Sequence, residues 1–264
     1  MQQWLLIVLL SALSVRAQWL GVAPWGPSSP PAASLPSPAI WWKFADGSGT
    51  TPTDSSGNGY GGVFEGALGN PTWVGFGSGI GTPSSAAPYC LQYIGADSEY
   101  VESSSAFFTQ LSQVQTATLC GWVYVAATNL NWSFGFALNT ANRFVLTGFS
   151  GTAYSCVCNG TNNYPNFSWT WTGWHFVATT FDGTKTGASR VVVYVDAVAQ
   201  TLTPGGAGNP SQLPPASSLE NFYSGNDVAD GPNYMTGGAC DIRCYNVTLT
   251  PTQITHVYNN IDQP

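Results

Sequence analysis

The chain has 264 residues, of which only 7% are charged and 14% are aromatic, and its formal net charge is −7 at pH 7. Thirteen acidic residues against six basic ones argue against nucleic acid or an anionic membrane as a partner. Beyond the N-terminal residues no stretch reaches the ~18 apolar residues of a membrane-spanning helix, so no membrane span is predicted.

The N-terminus has the pattern of a secretory signal peptide. The apolar run from Trp4 to Leu13 is too short to cross a bilayer, and small residues precede a cleavage point ahead of Gln18. We therefore predict a signal peptide over residues 1–17 and a secreted, extracellular protein. A linker over residues 18–38 follows, since the segment PWGPSSPPAASLPSP is too rich in Pro and Ser to pack. The folded domain is expected over residues 39–260.

The remainder of the chain alternates short β-favouring runs with clusters of Gly, Asn, Ser and Pro. Examples of the runs are IWWKFA, CLQYIG, EYVES, TATLCGWVYVA, RFVLTGF, AYSCVC, WHFVATTF and RVVVYVDA. Their close spacing, without long amphipathic helical patterns, favours an all-β antiparallel sandwich. One short helix is predicted at the end: Thr250 suits the N-cap, Gln253 completes a capping box, and Ile254 and Val257 share one face.

The two histidines divide between this helix and a hairpin. His256 falls off the apolar stripe of the helix and is expected at the surface. His175 lies mid-strand in a hairpin over residues 174–196, because WHFVATTF and RVVVYVDA flank the loop DGTKTGAS. Catalysis by His175 would need a nucleophile or a partner carboxylate, and no local motif supplies either.

Five motifs in order resemble laminin-G-like domains of the concanavalin A-like lectin/glucanase superfamily. They are WWKFADGSGTTPTDSSGNGYGG, CLQYIGADSEYVE, TATLCGWVYVA, GWHFVATTFDG…RVVVYVDAVAQ and GGACDIRCYNVTLTPTQITHVYNN. The resemblance covers residues 39–260 and implies a two-sheet jelly roll in which His175 belongs to the framework. The chain departs from the family where Asp196-Ala197 replaces Asp-Gly after the last strand of the hairpin, and where Cys240 replaces an acidic residue beside Asp241.

Six cysteines in an exported chain predict disulfides rather than a zinc site. They are Cys90, Cys120, Cys156, Cys158, Cys240 and Cys244. Cys240 and Cys244 are too far apart on one strand to bridge each other, and Cys156 and Cys158 are poorly placed to do so, which leaves the partners open. Four N-glycosylation sequons begin at Asn131, Asn159, Asn166 and Asn246.

The loop DSSGNG is a candidate calcium site. Asp54 and Asn58 supply oxygen ligands, and the resemblance brings Asp241 near them. In the alternative interpretation, Asp54 and Asn58 close a tight turn through side-chain hydrogen bonds.

Two further groups of residues are candidates for carbohydrate chemistry. Trp169 and Trp171 could form an exposed platform that stacks on sugar rings, although most tryptophans of a sandwich lie in the core. The acidic residues Asp97, Glu99 and Glu102 lie close together in the sequence, as the catalytic carboxylates of glucanases do. In a strand, however, Asp97 and Glu99 would share one face and Glu102 would point to the other face. We interpret the segment that carries these acids as a polar loop that leads into an exposed strand.

The sequence therefore predicts a non-catalytic binding or adhesion domain for glycans or glycosylated partners, with calcium as the one cofactor considered and no catalytic residues. Two alternatives stay open: a glycoside hydrolase or lyase on the same jelly roll, and a structural coat or matrix protein. The sequence leaves the oligomeric state open.

Overall fold

The computed structural model describes residues 34–104, 110–128, 131–206, 208–215, 221–226 and 233–263. The chain divides into two compact units, residues 1–32 and residues 33–264. The predicted signal peptide and the linker up to residue 33 lie outside the described residues. No helix among the described residues is long and apolar enough to cross a membrane.

The described part of the second unit contains fifteen strands and one α-helix. In chain order they are β1 (Ile40–Trp42), β2 (Gly62–Glu65), β3 (Thr72–Gly75), β4 (Tyr89–Tyr93), β5 (Tyr100–Ser103), β6 (Thr116–Val125), β7 (Trp132–Asn139), β8 (Asn142–Phe149), β9 (Thr152–Asn159), β10 (Asn166–Ser168), β11 (Gly173–Asp182), β12 (Val191–Val195), β13 (Val198–Ala199), β14 (Phe222–Ser224), β15 (Gly237–Tyr245) and α1 (Pro251–Asn259).

The strands form two antiparallel sheets, which confirms the predicted all-β sandwich of jelly-roll type. The first sheet has the order β13-β12-β11-β6-β15-β4-β3, with β1 also paired to β15. The second has the order β10-β9-β8-β7-β14-β5-β2. The predicted hairpin over residues 174–196 is the pair β11 and β12.

Side-chain alternation decides which residues fill the space between the sheets. Along β6, Leu119 and Val123 are buried in the main core, whereas Cys120 and Trp122 pack on the outer face of the first sheet. The strand β7 was missed by the sequence analysis. Its alternation of Trp132, Phe134 and Phe136, all buried in the main core, was the signal that could have revealed it.

The helix α1 covers the outer face of the first sheet. Its capping box between Thr250 and Gln253 is present as predicted, and Ile254 and Val257 are buried against that sheet. The compact unit begins at residue 33, six residues before the predicted start. Leu35 packs beside the helix, and the Ser34 carbonyl accepts a hydrogen bond from Gln253 Nε2 (2.9 Å).

The turn between β12 and β13 forms despite its unusual sequence. Both Asp196 and Ala197 have left-handed φ values, 50° and 63°, and Val195 pairs with Val198 across the turn. The missing glycine therefore leaves the geometry of the turn intact and places an alanine in a conformation that L-residues disfavour.

The structure contains a disulfide between Cys90 on β4 and Cys240 on β15, with Cα atoms 4.9 Å apart. Those two predicted disulfide cysteines are confirmed. Cys120 and Cys244 are free thiols in the interior, so the prediction is wrong for them. Adjacent strands carry them, but they point to opposite faces of the first sheet and cannot meet. A disulfide is not confirmed for Cys156 and Cys158, which are buried together on the outer face of the second sheet.

We expect Cys120 and Cys244 to resist alkylation in the native protein. Burial raises the pKa of the Cys120 thiol to about 12 and raises that of Cys244 as well, so the reactive thiolate is scarce. Iodoacetamide labelling with peptide mass spectrometry should find both labelled only in urea, with the Cys90–Cys240 peptides still linked. Labelling of either thiol in the native state would contradict their burial.

Replacing Ala197 by glycine should stabilise the protein by about 0.5–1 kcal/mol, because glycine has no Cβ penalty at a positive φ. The matched control is Ala199→Gly, two residues along on β13, where an extended backbone gives glycine no advantage and predicts a loss. Urea unfolding of the three proteins measures both effects. Destabilisation by Ala197→Gly would show that the alanine side chain matters more than its backbone strain.

Candidate functional site

A groove opens on the outer face of the second sheet, opposite the face that packs in the core. Its volume is about 340 Å³. The lining residues are Asn131, Arg143, Thr147, Gly148, Phe149, Tyr154, Cys156, Tyr164 and Asn233. This mixture of aromatic rings, amides and hydroxyls is typical of small-molecule sites, in which apolar surface gives affinity and a few polar groups set orientation.

Strands β8 and β9 position most of this lining by alternation. Phe144 and Leu146 face the core, so Arg143, Thr147 and Phe149 project outward between and beside them. The Phe149 ring is 53% exposed at the rim. The alternation of inward and outward residues along β8 and β9 can be read from the sequence. The sequence does not show which outer face of the sandwich is left exposed to solvent.

Arg143 contributes a buried cation to the groove. The Arg143 guanidinium lies 4.9 Å from the centre of the Tyr164 ring in a cation–π contact, and the side chain is almost fully buried. On the core side of the same strand, a Cβ at Gly148 would lie 1.9 Å from Trp132 Nε1, so the buried indole excludes any other residue there. The groove therefore contains a buried cation that stacks on an aromatic ring.

The predicted tryptophan platform is wrong for Trp169. Its side chain is buried in the main core, where its ring packs 4.9 Å from Trp132 and 5.2 Å from Trp171. Trp171 is partly buried against the same cluster. The alternation within SWTWTGW indicates a shared face, but tertiary packing places that face against the main core.

His175 has a carboxylate partner that the sequence analysis missed. Its Nδ1 lies 2.8 Å from Asp196 Oδ2, and its Nε2 lies 3.2 Å from the Thr172 carbonyl oxygen. The hydrogen bond to Asp196 raises the pKa of His175, burial opposes it, and the Asp196 charge and Thr172 add to the rise. Because both ring nitrogens face acceptors, the protonated ring satisfies both contacts by donating. This arrangement supports a framework role, since a general base needs a nitrogen that can accept a proton.

We expect His175→Gln to reduce stability more at pH 5.5 than at pH 9. A pKa raised in the folded state gives a contribution that is complete below the unfolded value of about 6.5 and is lost as pH rises through the folded-state pKa. Urea unfolding at both pH values measures the difference. Asp196→Asn, which keeps an acceptor for the Phe176 amide, should remove the same pH dependence. An equal loss at both pH values would contradict the ion pair.

The acids of the segment DSEYVE differ from their predicted placement. Asp97 lies in a 3₁₀ turn, Gly95–Asp97, and the left-handed φ of 61° at Ser98 precedes Glu99, so strand alternation does not relate the two acids. Glu99 is only 2% exposed, which corrects the interpretation as an exposed polar segment. Its Oε2 accepts a hydrogen bond from the Ile94 amide (2.5 Å), while burial and the Asp97 charge raise its pKa. Glu102, on β5, does project outward.

The candidate calcium ligands Asp54 and Asn58 make hydrogen bonds within the protein. Asp54 accepts hydrogen bonds from the amides of Trp41, Ser56 and Tyr60 at 2.9–3.0 Å. Asn58 Nδ2 donates to the Ala39 carbonyl (3.0 Å), and the described residues contain no group of three or more His, Cys, Asp or Glu that could hold a metal. The Asp54 contacts with Ser56 and Tyr60 match the turn interpretation, whereas Asn58 bonds to a carbonyl outside the turn. Calcium binding with Asp241 stays a prediction.

The four sequons occupy different environments. Asn246 is exposed just after β15, whereas the Asn159 and Asn166 amides donate hydrogen bonds to backbone carbonyls. Asn131 lines the groove. A glycan on Asn131 would therefore compete with any ligand of the groove, and a glycan on Asn246 would not.

The chain belongs to the concanavalin A-like lectin/glucanase superfamily. A model of laminin-G-like domains from this superfamily matches residues 95–255. No curated protein sequence matches the chain significantly.

Similar solved structures agree on the fold. The binding domain of botulinum neurotoxin DC, in complex with rat synaptotagmin II, has a TM-score of 0.57 and 13% identity over 86% of this chain and 52% of that one. The same domain in complex with SialylT has a TM-score of 0.57 and 14% identity, over 86% and 51%. Domain 4 of AbnA, an extracellular GH43 arabinanase from Geobacillus stearothermophilus, in complex with arabinotriose, has a TM-score of 0.51 and 17% identity, over 84% and 98%. The chain thus spans about half the length of the neurotoxin domains it matches.

Proposed function

We propose that this protein is an exported, non-catalytic domain that binds glycans or glycosylated partners through the groove on the outer face of the second sheet. The lining of that groove is the observation that carries the proposal. Phe149, Tyr154 and Tyr164 supply ring surface suited to the apolar face of a sugar, and Asn131 and Asn233 bring amides that can pair with hydroxyl groups.

The groove favours binding over cleavage. Most glycoside hydrolases act with two carboxyl groups flanking the scissile bond. The described residues that line this groove include no Asp or Glu. Its polar groups are amides, hydroxyls and a guanidinium, which hold a sugar in place but supply neither carboxyl group for the reaction.

Two similar structures add support at the level of the fold. The arabinanase domain holds arabinotriose, and it corresponds to this chain over nearly its whole length. A neurotoxin binding domain is in complex with SialylT, but about half of that domain has no counterpart here. The alternative of a hydrolase or lyase has the clustered Asp97 and Glu99 in its favour, and a structural coat protein would need no groove.

Removing the exposed ring at the rim should weaken glycan binding. We expect Phe149→Ala to reduce affinity at least 10-fold for saccharides that the wild type captures on a glycan array, since the stacking surface is lost. Phe76→Ala is the matched control, because Phe76 is 62% exposed in a turn outside the groove. Measurement with and without calcium also tests whether the candidate calcium site contributes to binding.

Material made without N-glycosylation keeps Asn131 free of a competing glycan. Absence of any captured saccharide in that material would overturn the proposal. Release of reducing ends from soluble polysaccharides, lost in Glu99→Gln, would instead establish the hydrolase. Equal losses in Phe149→Ala and Phe76→Ala would place binding elsewhere on the protein.

A further inference from the structure

A second feature of the outer face lies at the opposite edge of the second sheet from the groove, across β2, β5 and β14. We name it the tyrosine–glutamate surface and define it by five residues: Glu65, Tyr100, Glu102, Tyr223 and Tyr234. Strand register places Glu65 directly opposite Tyr100, and Glu102 directly opposite Tyr223. The strand residues between and beside the four on β2, β5 and β14 are buried, so those four side chains project outward together. Tyr234 joins them through its ring contact with Tyr100.

The three rings form one partly exposed aromatic cluster. The centre of the Tyr100 ring lies 6.1 Å from that of Tyr223, at an interplanar angle of 45°, and 6.2 Å from that of Tyr234, at 31°. The two carboxylates border this cluster closely. Burial, followed by the charges of Glu102 and Glu65, raises the pKa of the Tyr100 hydroxyl. Tyrosine faces therefore lie within the field of two negative charges.

None of the Lys and Arg side chains in the described part of the chain pairs with those carboxylates. Five of the six Lys and Arg residues follow residue 33, and all five fall within the described ranges. They lie elsewhere: Lys43 and Arg243 against Trp41, Arg143 against Tyr164, Lys185 beside Asp182, and Arg190 on the carbonyls of Lys185 and Asn209. Glu102 accepts a hydrogen bond from a neutral donor, the side-chain amide of Asn221.

We infer that the tyrosine–glutamate surface binds an alkylammonium group. The negative face of an aromatic ring attracts a cation, and alkyl groups on that cation bury apolar area against the rings. The carboxylates add attraction over a range of about 10 Å at ordinary ionic strength. A metal ion fits less well, because two carboxylates beside tyrosine rings offer few of the oxygens that calcium or magnesium requires.

Two sources could supply this chemistry: a free quaternary amine, or the side chain of a lysine in a partner. Choline and Nα-acetyl-lysinamide are the respective probes. Titration of each into the full chain, followed by NMR of the tyrosine ring signals at constant chloride, should give saturable shifts. Tyr100→Leu should weaken binding at least 10-fold, and the isosteric Glu102→Gln about 3-fold. Binding should also fall as the salt concentration rises.

The controls separate this surface from the groove and from general hydrophobic binding. Tyr89→Leu removes a partly exposed tyrosine on the first sheet, and Phe149→Ala alters the groove, so both should bind the probes like the wild type. The neutral isostere of choline, 3,3-dimethylbutanol, should bind at least 10-fold more weakly.

Tighter binding of choline would identify a free quaternary amine as the ligand, and tighter binding of acetyl-lysinamide would identify a lysine side chain. The inference is overturned if neither cation binds, if dimethylbutanol binds equally, or if Tyr100→Leu and Glu102→Gln both leave binding unchanged.

Discussion

The buried carboxylate of Asp241 holds together the part of the first sheet from which the rest of the sandwich extends. Its Oδ1 accepts hydrogen bonds from Trp41 Nε1 (2.6 Å) and Arg243 Nε (2.9 Å), and its Oδ2 accepts from Arg243 and from the Asp262 amide. A buried ion pair is costly to form, and only full hydrogen bonding offsets that cost. Here every acceptor is used, and the contacts join β1, β15 and the segment after α1.

The backbone at Asp241 allows β15 to pair with three strands, β1, β4 and β6. At Asp241 the backbone has a left-handed φ of 49°, and the pairing register of β15 with β6 shifts between Cys240 and Arg243. The bulge divides β15 into a first half paired with β4 and a second half paired with β1. The disulfide from Cys240 to Cys90 fixes the first half at the point where the register changes.

The two outer faces of the sandwich then have different roles. The helix α1 and the segment from residue 34 pack on the first sheet, so apolar side chains cover that face. The outer face of the second sheet carries the groove around Arg143 at one side and the tyrosine–glutamate surface at the other. A ligand bound on the outer face of the second sheet would leave the buried contacts of the first sheet undisturbed.

The sequence alone determined the local structure wherever chemistry between near neighbours decides it. The capping box of α1 and the hairpin β11–β12 depend on residues a few positions apart, and the ordered motifs indicated the superfamily and hence the two-sheet fold. Tertiary structure decided everything that depends on which face is covered. Trp169 is buried because its ring packs against those of Trp132 and Phe167 in the main core. His175 meets Asp196 only because the register of two strands aligns them. The groove and the tyrosine–glutamate surface bring together residues from β2 to β14 and the loops near them. Alternation places a side chain on one side of its strand, but only the packing of the whole chain determines whether that side meets protein or solvent.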